Sequence, residues 1–265
     1  MRNWRFIKQI IHFFLKKIGY ELKKINNKIN HINFDDLIKY NLNENCIIFD
    51  VGGNRGQSIE RFKKIFKKPI IHSFEPIKSE FDYMFKKFKD NKNFILNCCA
   101  LGDKIEEKEL NITANTGNSS FNKINPSTNW LKKRSRQFNT TMEGYTTSIQ
   151  RVKVDTLDQY CKNNNISKID LLKIDTQGYE DKVLEGSVNT LKNNNIKIIV
   201  VEIMFDNVYD KYFSFSDIEK YIIPNNFRMV GIDLTNNNLF NGLVFFADVY
   251  YFNKKYFDLN ISKAL

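Results

Sequence analysis

A chain of 265 residues in which 42% are hydrophobic and 14% aromatic holds enough apolar side chain for a folded core, which excludes a disordered protein in spite of its Asn- and Lys-rich stretches. Lysine and arginine outnumber aspartate and glutamate by 41 to 30; the formal charge of +11 suits nucleic acid, anionic lipid or acidic glycan, and equally a basic protein with no such partner. Cys46, Cys98, Cys99 and Cys161 form no C-x-x-C pair and have no nearby histidine pattern, which argues against a metal site and for reduced thiols in a cytoplasmic protein.

Residues 1–28 place Trp4, Ile7, Ile11, Phe14, Leu15, Ile18 and Leu22 at helical spacing, with Arg2, Arg5, Lys8, Lys16, Lys17, Lys23 and Lys24 on the remainder. The pattern predicts a basic amphipathic helix ahead of a folded domain over 29–265. Its apolar run, broken by His12 and ended by Lys16, is too short to cross a bilayer, and no cleavage site follows it. Such a helix can lie on the inner face of an anionic membrane, or dock on its own domain or a sister subunit.

From Cys46 onward short apolar runs alternate with helical patterns, the signature of βαβ units and a mostly parallel sheet. Strands are predicted at 46–51, 70–74 and 94–98, with helices over 57–66 and 79–88. His72, inside the run Ile70-Ile71-His72-Ser73-Phe74, reads as a core histidine. Residues 102–150 interrupt the alternation and read as an insertion. Its basic cluster Lys132, Lys133, Arg134 and Arg136, beside Trp130 and Phe138, could bind an acidic glycan, a diphosphate-linked lipid carrier or RNA, or form a solvated loop. A short strand at 152–154 and a helix over 156–160 precede a strand at 169–174, a helix over 180–191 and a strand at 196–203. A helix over 215–222 and strands at 228–233 and 243–252 follow; the last two, joined by a turn near 236–242, suggest an antiparallel edge pair.

The strongest local signal is Phe49-Asp50-Val51-Gly52-Gly53-Asn54-Arg55-Gly56, set between a predicted strand and a predicted helix. Glycines there let a backbone approach a cofactor. The spacing is neither G-x-G-x-x-G nor G-x-x-x-x-G-K-[ST], and a carboxylate at Asp50 would repel a pyrophosphate, so the turn suits a cofactor with a cationic amino group. S-adenosylmethionine has that group. Strand two then ends in Phe74-Glu75-Pro76, which puts a carboxylate where Rossmann-like folds bind ribose hydroxyls. Taken alone, either acid could be no more than a helix cap.

These two motifs, followed in order by Ala100-Leu101-Gly102-Asp103, Gly117-Asn118-Ser119-Ser120, Thr156-Leu157-Asp158 and Leu172-Lys173-Ile174-Asp175-Thr176-Gln177-Gly178-Tyr179-Glu180, resemble the FkbM methyltransferase family. Val183-Leu184-Glu185-Gly186-Ser187 and Val201-Glu202-Ile203 continue the resemblance, which covers roughly 46–252. It implies a class I methyltransferase of α/β Rossmann-like fold: a mostly parallel seven-stranded sheet with an antiparallel edge pair and helices on both faces. It further implies S-adenosylmethionine as donor and O-methylation, often of bacterial glycans or natural products. The residues expected at the cofactor are Asp50, Gly52, Gly53, Asn54, Gly56, Glu75, Pro76, Ala100, Leu101 and Asp103, the last against adenine or as a cap. Two departures stand out: Gly53 where the family commonly has Ala, expected to be harmless, and Thr176-Gln177 where it commonly has Val and Glu.

A sugar hydroxyl becomes a good nucleophile only as its proton is taken up, which calls for a carboxylate or imidazole in reach. Asp175, ending a strand at the carboxyl edge of the sheet, is the first candidate; Glu180 and Glu202 follow, Glu180 being equally suited to the first turn of a helix. The expected acceptor is a carbohydrate or lipid-linked glycan. Methylation of RNA, which no RNA-binding signature supports, and a non-catalytic basic binding protein on the same fold are the rival readings.

Overall fold

The computed structural model describes residues 11, 16–17, 33–211, 213–234 and 245–257. By their contacts the residues fall into two units, Met1–Leu37 and Ile38–Leu265. In the first, Ile11, Lys16 and Lys17 are helical; the rest of the amphipathic helix expected over 1–28 lies outside the described residues. Helix α1 (Phe34–Asn41) opens with Asp35 and Asp36 in its first turn and has Lys39 in its last, charges that oppose the helix dipole.

The larger unit is built on a seven-stranded sheet of order β3-β2-β1-β7-β8-β10-β9. Its strands are β1 (Ile47–Val51), β2 (Ile70–Phe74), β3 (Phe94–Asn97), β7 (Ile169–Ile174), β8 (Ile196–Met204), β9 (Phe227–Asp233) and β10 (Phe246–Asn253). Strands β3, β2, β1, β7 and β8 run parallel, and β10 is antiparallel to both β8 and β9. The parallel strands are nearly continuous apolar runs because both faces are covered. Helices α2 (Gln57–Ile65) and α3 (Lys78–Phe88) follow β1 and β2 and bury Ile59, Phe62, Met84 and Phe88. One sheet face, carrying Phe49, Phe74, Leu172, Ile174, Ile199, Val201, Val249 and Tyr251, forms the main core with Leu157, Val183, Leu184 and Ile218. His72 belongs to that core: it stacks on Phe49 at 4.8 Å, meets the Tyr160 hydroxyl at 2.9 Å, and burial draws its pKa down to about 4.

The segment read as an insertion is a second sheet. Strands β4 (Ala100–Leu101), β5 (Glu106–Thr113) and β6 (Thr146–Asp155) pair in the order β4-β6-β5, with β5 antiparallel to β6 and β4 parallel to it. The short strand expected at 152–154 is the end of the ten-residue β6. Between β5 and β6 lies α4 (Asn129–Gln137), capped by Thr128, whose Oγ1 accepts from the Leu131 N–H at 3.2 Å. Trp130 of α4 packs edge-on against Tyr145 at 5.8 Å and stacks on Phe245 at 6.4 Å, a satellite core apart from the main one.

Helix α5 (Leu157–Asn163) joins β6 to β7. The single helix expected over 180–191 is two, α6 (Glu180–Glu185) and α7 (Val188–Lys192), broken at Gly186-Ser187. There the Ser187 hydroxyl bonds back to the Val183 carbonyl at 2.5 Å, the local competition that serine offers a helix. Helix α8 (Phe215–Ile222) has the predicted bounds and opens with a capping box between Ser214 and Asp217. The turn expected near 236–242 lies outside the described residues. Among the described residues no helix is long and apolar enough to cross a membrane, and no group of His, Cys, Asp and Glu could hold a metal ion.

Candidate active site

The site is assembled at the carboxyl ends of β1, β2 and β7. Beyond Val51 the chain turns at Gly52, whose φ is +92° and where a Cβ would lie 1.9 Å from the Asp175 carbonyl oxygen. Only glycine meets both demands. The N–H groups of Gly52 and Gly53 both donate to the Phe74 carbonyl, at 3.0 and 2.9 Å, and the Asp175 N–H donates to Val51 at 3.0 Å. These bonds draw the three strand ends together.

Gly53 is under a different constraint. A Cβ there would stand 2.1 Å from Ser73 Oγ, the hydroxyl that donates to Asp50 Oδ2 at 3.0 Å. An alanine therefore fits only if Ser73 turns off Asp50.

A cavity opens above this turn. Gly52, Asn54, Glu75, Pro76, Ala100 and Leu101 of the expected cofactor set line it, together with Asp175. Asp50, Gly53, Gly56 and Asp103 do not. Asp50 is fully buried beneath the turn, and Asp103 is bonded to Lys182 at 3.2 Å and the Tyr179 hydroxyl at 3.5 Å. The outer wall comes from the second sheet and its loop, through Leu110, Thr116, Gly117, Ser119 and Phe121, and from Tyr179. Of these, Gly117, Ser119 and Tyr179 fell within motifs of the sequence; Leu110 and Phe121 carried no signal beyond being apolar.

Glu75 is buried, accepting from the Asn54 N–H at 2.8 Å through one oxygen and from the Ile77 N–H at 2.7 Å through the other. Burial outweighs those two donors and pushes its pKa up to about 7. Each oxygen keeps a lone pair for a ligand hydroxyl.

The loop after β7 sets the other side of the site. Gln177 holds φ +57° and Gly178 φ +91°, so the loop runs left-handed through two residues. Asp175 is 31% exposed at the cavity, its Oδ2 taking a bond from Lys173 Nζ at 3.1 Å and its Oδ1 one from Gln177 Nε2 at 3.0 Å. Lys173 is buried between Asp175 and Asp50, with its Nζ 3.7 Å from Asp50 Oδ1. Burial alone would lower the Lys173 pKa; the carboxylates of Asp175, Asp50 and Asp248 overcome it and hold the ammonium above its ordinary range.

Gln177 is the hub that sequence reasoning missed. Its Nε2 also donates to Glu202 Oε2 at 2.6 Å, while its Oε1 accepts from the Tyr209 hydroxyl at 3.3 Å and from Asn118 Nδ2 at 3.4 Å. Glu202 lies behind that amide, its pKa pushed well up by burial and then by Asp175 and Asp248. Glu180 turns its carboxylate onto the loop itself, accepting from Thr176 N–H at 2.8 Å, Thr176 Oγ1 at 3.1 Å and Gly178 N–H at 2.9 Å. Glu180 and Glu202 line a second, smaller cavity with Gly178. Of the three candidate bases, Asp175 alone faces the main cavity.

These residues fit S-adenosylmethionine. The end of the cavity lined by Gly52 and Asn54 suits the amino-acid end. Glu75 suits the ribose hydroxyls, and Leu101, Leu110 and Phe121 give an apolar wall for adenine.

The methyltransferase FkbM domain matches residues 50–229, from the end of β1 into β9. No curated relative matches the chain. Among solved structures, a TehB-like SAM-dependent methyltransferase from Corynebacterium glutamicum is 11% identical with a TM-score of 0.43, over 95% of this chain and 95% of that one. Aeropyrum pernix fibrillarin in complex with natively bound S-adenosyl-L-methionine is 9% identical with a TM-score of 0.41, over 79% of this chain and 66% of that one. An rRNA methylase from Streptococcus thermophilus is 11% identical with a TM-score of 0.44, over 83% and 93%. It is the family match, spanning the Gly52 turn, Glu75 and the Asp175 loop in one continuous domain, that identifies the protein: the chain belongs to the FkbM family of S-adenosylmethionine-dependent methyltransferases.

Proposed function

We propose that this methyltransferase modifies the oxygen of a sugar hydroxyl, on a bacterial surface glycan or its lipid-linked precursor. The observation that carries the reading is Asp175, a carboxylate open to the cavity and tethered on both oxygens. S-adenosylmethionine supplies a methyl group made electrophilic by its sulfonium. What the protein must add is alignment of the acceptor oxygen and removal of its proton. Asp175 is suited to both tasks, because Lys173 and Gln177 fix the direction of its free lone pairs. Gln177, an amide with no basicity at neutral pH, serves by position. Leu110 and Phe121 exclude water from one wall, which strengthens the polar contacts inside. The sugar acceptor comes from the family resemblance, and a lipid-linked acceptor would bring the chain to the inner face of the membrane.

The test offers the purified protein and labelled S-adenosylmethionine with three acceptor pools: nucleotide sugars, lipid-linked oligosaccharides and total RNA. Label in an alkali-stable sugar ether from either of the first two supports the reading. Label confined to RNA replaces it with the rival one.

A further inference from the structure

We infer that the sugar ring bearing the methylated hydroxyl is uncharged, with neither a carboxylate nor a phosphate on the atoms next to that hydroxyl; the inference rests on the glycan reading above. Among the described residues, the charged side chains that line the cavity are Glu75 and Asp175, both acids. Asp50 is buried beneath the glycine turn, and Glu202 stands behind Gln177, whose Nε2 reaches it at 2.6 Å. Burial, and after it the neighbouring acids, raises both Glu75 and Glu202 above the ordinary carboxyl range.

Against these acids stands Lys173, and its ammonium is already shared between Asp175 at 3.1 Å and Asp50 at 3.7 Å. Two cations beside the outer wall are engaged as well. Lys108 lies over the rings of Tyr179 and Phe121, at 5.1 and 5.6 Å from their centroids, with Glu106 at 3.6 Å. Lys182 is bonded to Asp103 at 3.2 Å and to Glu185 at 2.6 Å.

S-adenosylmethionine carries one net positive charge, at its sulfonium, because its ammonium and carboxylate cancel. Asp50, Asp175 and Lys173 together carry one net negative charge, which the sulfonium meets. An acid on the acceptor would then be closed into the cavity with no cation left to pair with it, and a buried charge without a partner is strongly disfavoured. A neutral ring asks only for hydrogen bonds, which Thr116 and Asp175 are placed on the wall to supply.

The same balance weighs against RNA. Its 2′-hydroxyl stands beside a phosphate on the next carbon, which would follow the hydroxyl into the cavity. A uronic acid or a sugar phosphate fits only through a hydroxyl remote from its charge.

The test offers the full chain labelled S-adenosylmethionine and a pool of lipid-linked oligosaccharides that contains hexoses, uronic acids and sugar phosphates, and identifies the labelled residue by tandem mass spectrometry. Label should enter neutral residues at least about tenfold more than acidic ones present in equal amount. Thr116→Lys adds a cation to the cavity wall and should move that ratio about tenfold toward the acidic residues. Label mainly on a hydroxyl next to a carboxylate or phosphate would overturn the inference while leaving the glycan reading in place, and so would a ratio that Thr116→Lys leaves unmoved. Absence of label from every sugar, in a protein that still binds S-adenosylmethionine by calorimetry, is the failure of the glycan reading and takes the inference down with it.

Discussion

Replacing Lys173 by methionine removes the cation that sits between Asp50 and Asp175 while keeping the length of the side chain. At the observed separations of 3.7 and 3.1 Å the two attractions are each about 5 kcal/mol for an effective dielectric of 20. Much of that is offset by desolvation of the buried ammonium, and breaking a buried pair typically costs about 3 to 5 kcal/mol. The relief open to the variant is uptake of a proton by one carboxylate, which at pH 7 costs an ordinary aspartate about 4 kcal/mol and at pH 5 about 1.5 kcal/mol. Lys173→Met should therefore lose about 4 kcal/mol near neutrality, a fall in Tm of about 8 to 16 °C for a domain of this size, and less than half of that at pH 5. Thermal unfolding followed by circular dichroism at the two pH values measures it. A Tm within about 2 °C of the parent, or a loss independent of pH, would show that Lys173 is not the counter-charge of these acids.

Asp175→Asn should lower turnover by about 10² to 10⁴ while leaving S-adenosylmethionine affinity within a few-fold, read by S-adenosylhomocysteine release and by calorimetry. Glu75→Ala should weaken cofactor binding by about 1.5 to 3 kcal/mol through lost charge-assisted hydrogen bonds, and unchanged affinity in a folded variant would remove Glu75 from the cofactor site. Gly53→Ala should cost about 1 to 3 kcal/mol by overpacking against Ser73, and the double variant with Ser73→Ala should recover part of it, a coupling that unfolding curves detect. Burial raises Glu75 and Glu180 from 4.5 to about 7, so the folded protein binds more protons than the unfolded chain across that window. Stability should accordingly fall as the pH rises from about 4.5 through 7, and a denaturant midpoint that rises over the same range would contradict the assignment.

What the amino-acid sequence disclosed follows from burial. Strands β1, β2 and β7 are covered on both faces and read as unbroken apolar runs, so 70–74 and 169–174 were legible to the residue. Strand β5, Glu-Glu-Lys-Glu-Leu-Asn-Ile-Thr, has one face largely open to solvent, and its charges gave the appearance of an insertion. The break at Gly186-Ser187 was hidden because Ser187 makes its competing bond to the Val183 carbonyl, a matter of geometry. Within the site, the Gly52 turn and Glu75 were legible because each ends a strand. Gln177 was not. Its role comes from Asn118, Glu202 and Tyr209, partners 59, 25 and 32 residues away, and no local pattern brings those together.

The second sheet bears on how such an enzyme changes its acceptor. It enters at β4 and returns at β6, whose ends pair side by side at Ala100–Val154 and Leu101–Asp155, so the excursion between them leaves and rejoins the domain at nearly one point. The cofactor turn, Glu75 and Asp175 all lie outside it, whereas Leu110, Gly117, Ser119 and Phe121 of the cavity wall lie inside. That part of the wall is thus carried on one excursion and the donor turn on the frame, and exchanging the segment between Gly102 and Val152 with that of another family member tests whether the excursion sets the choice of acceptor.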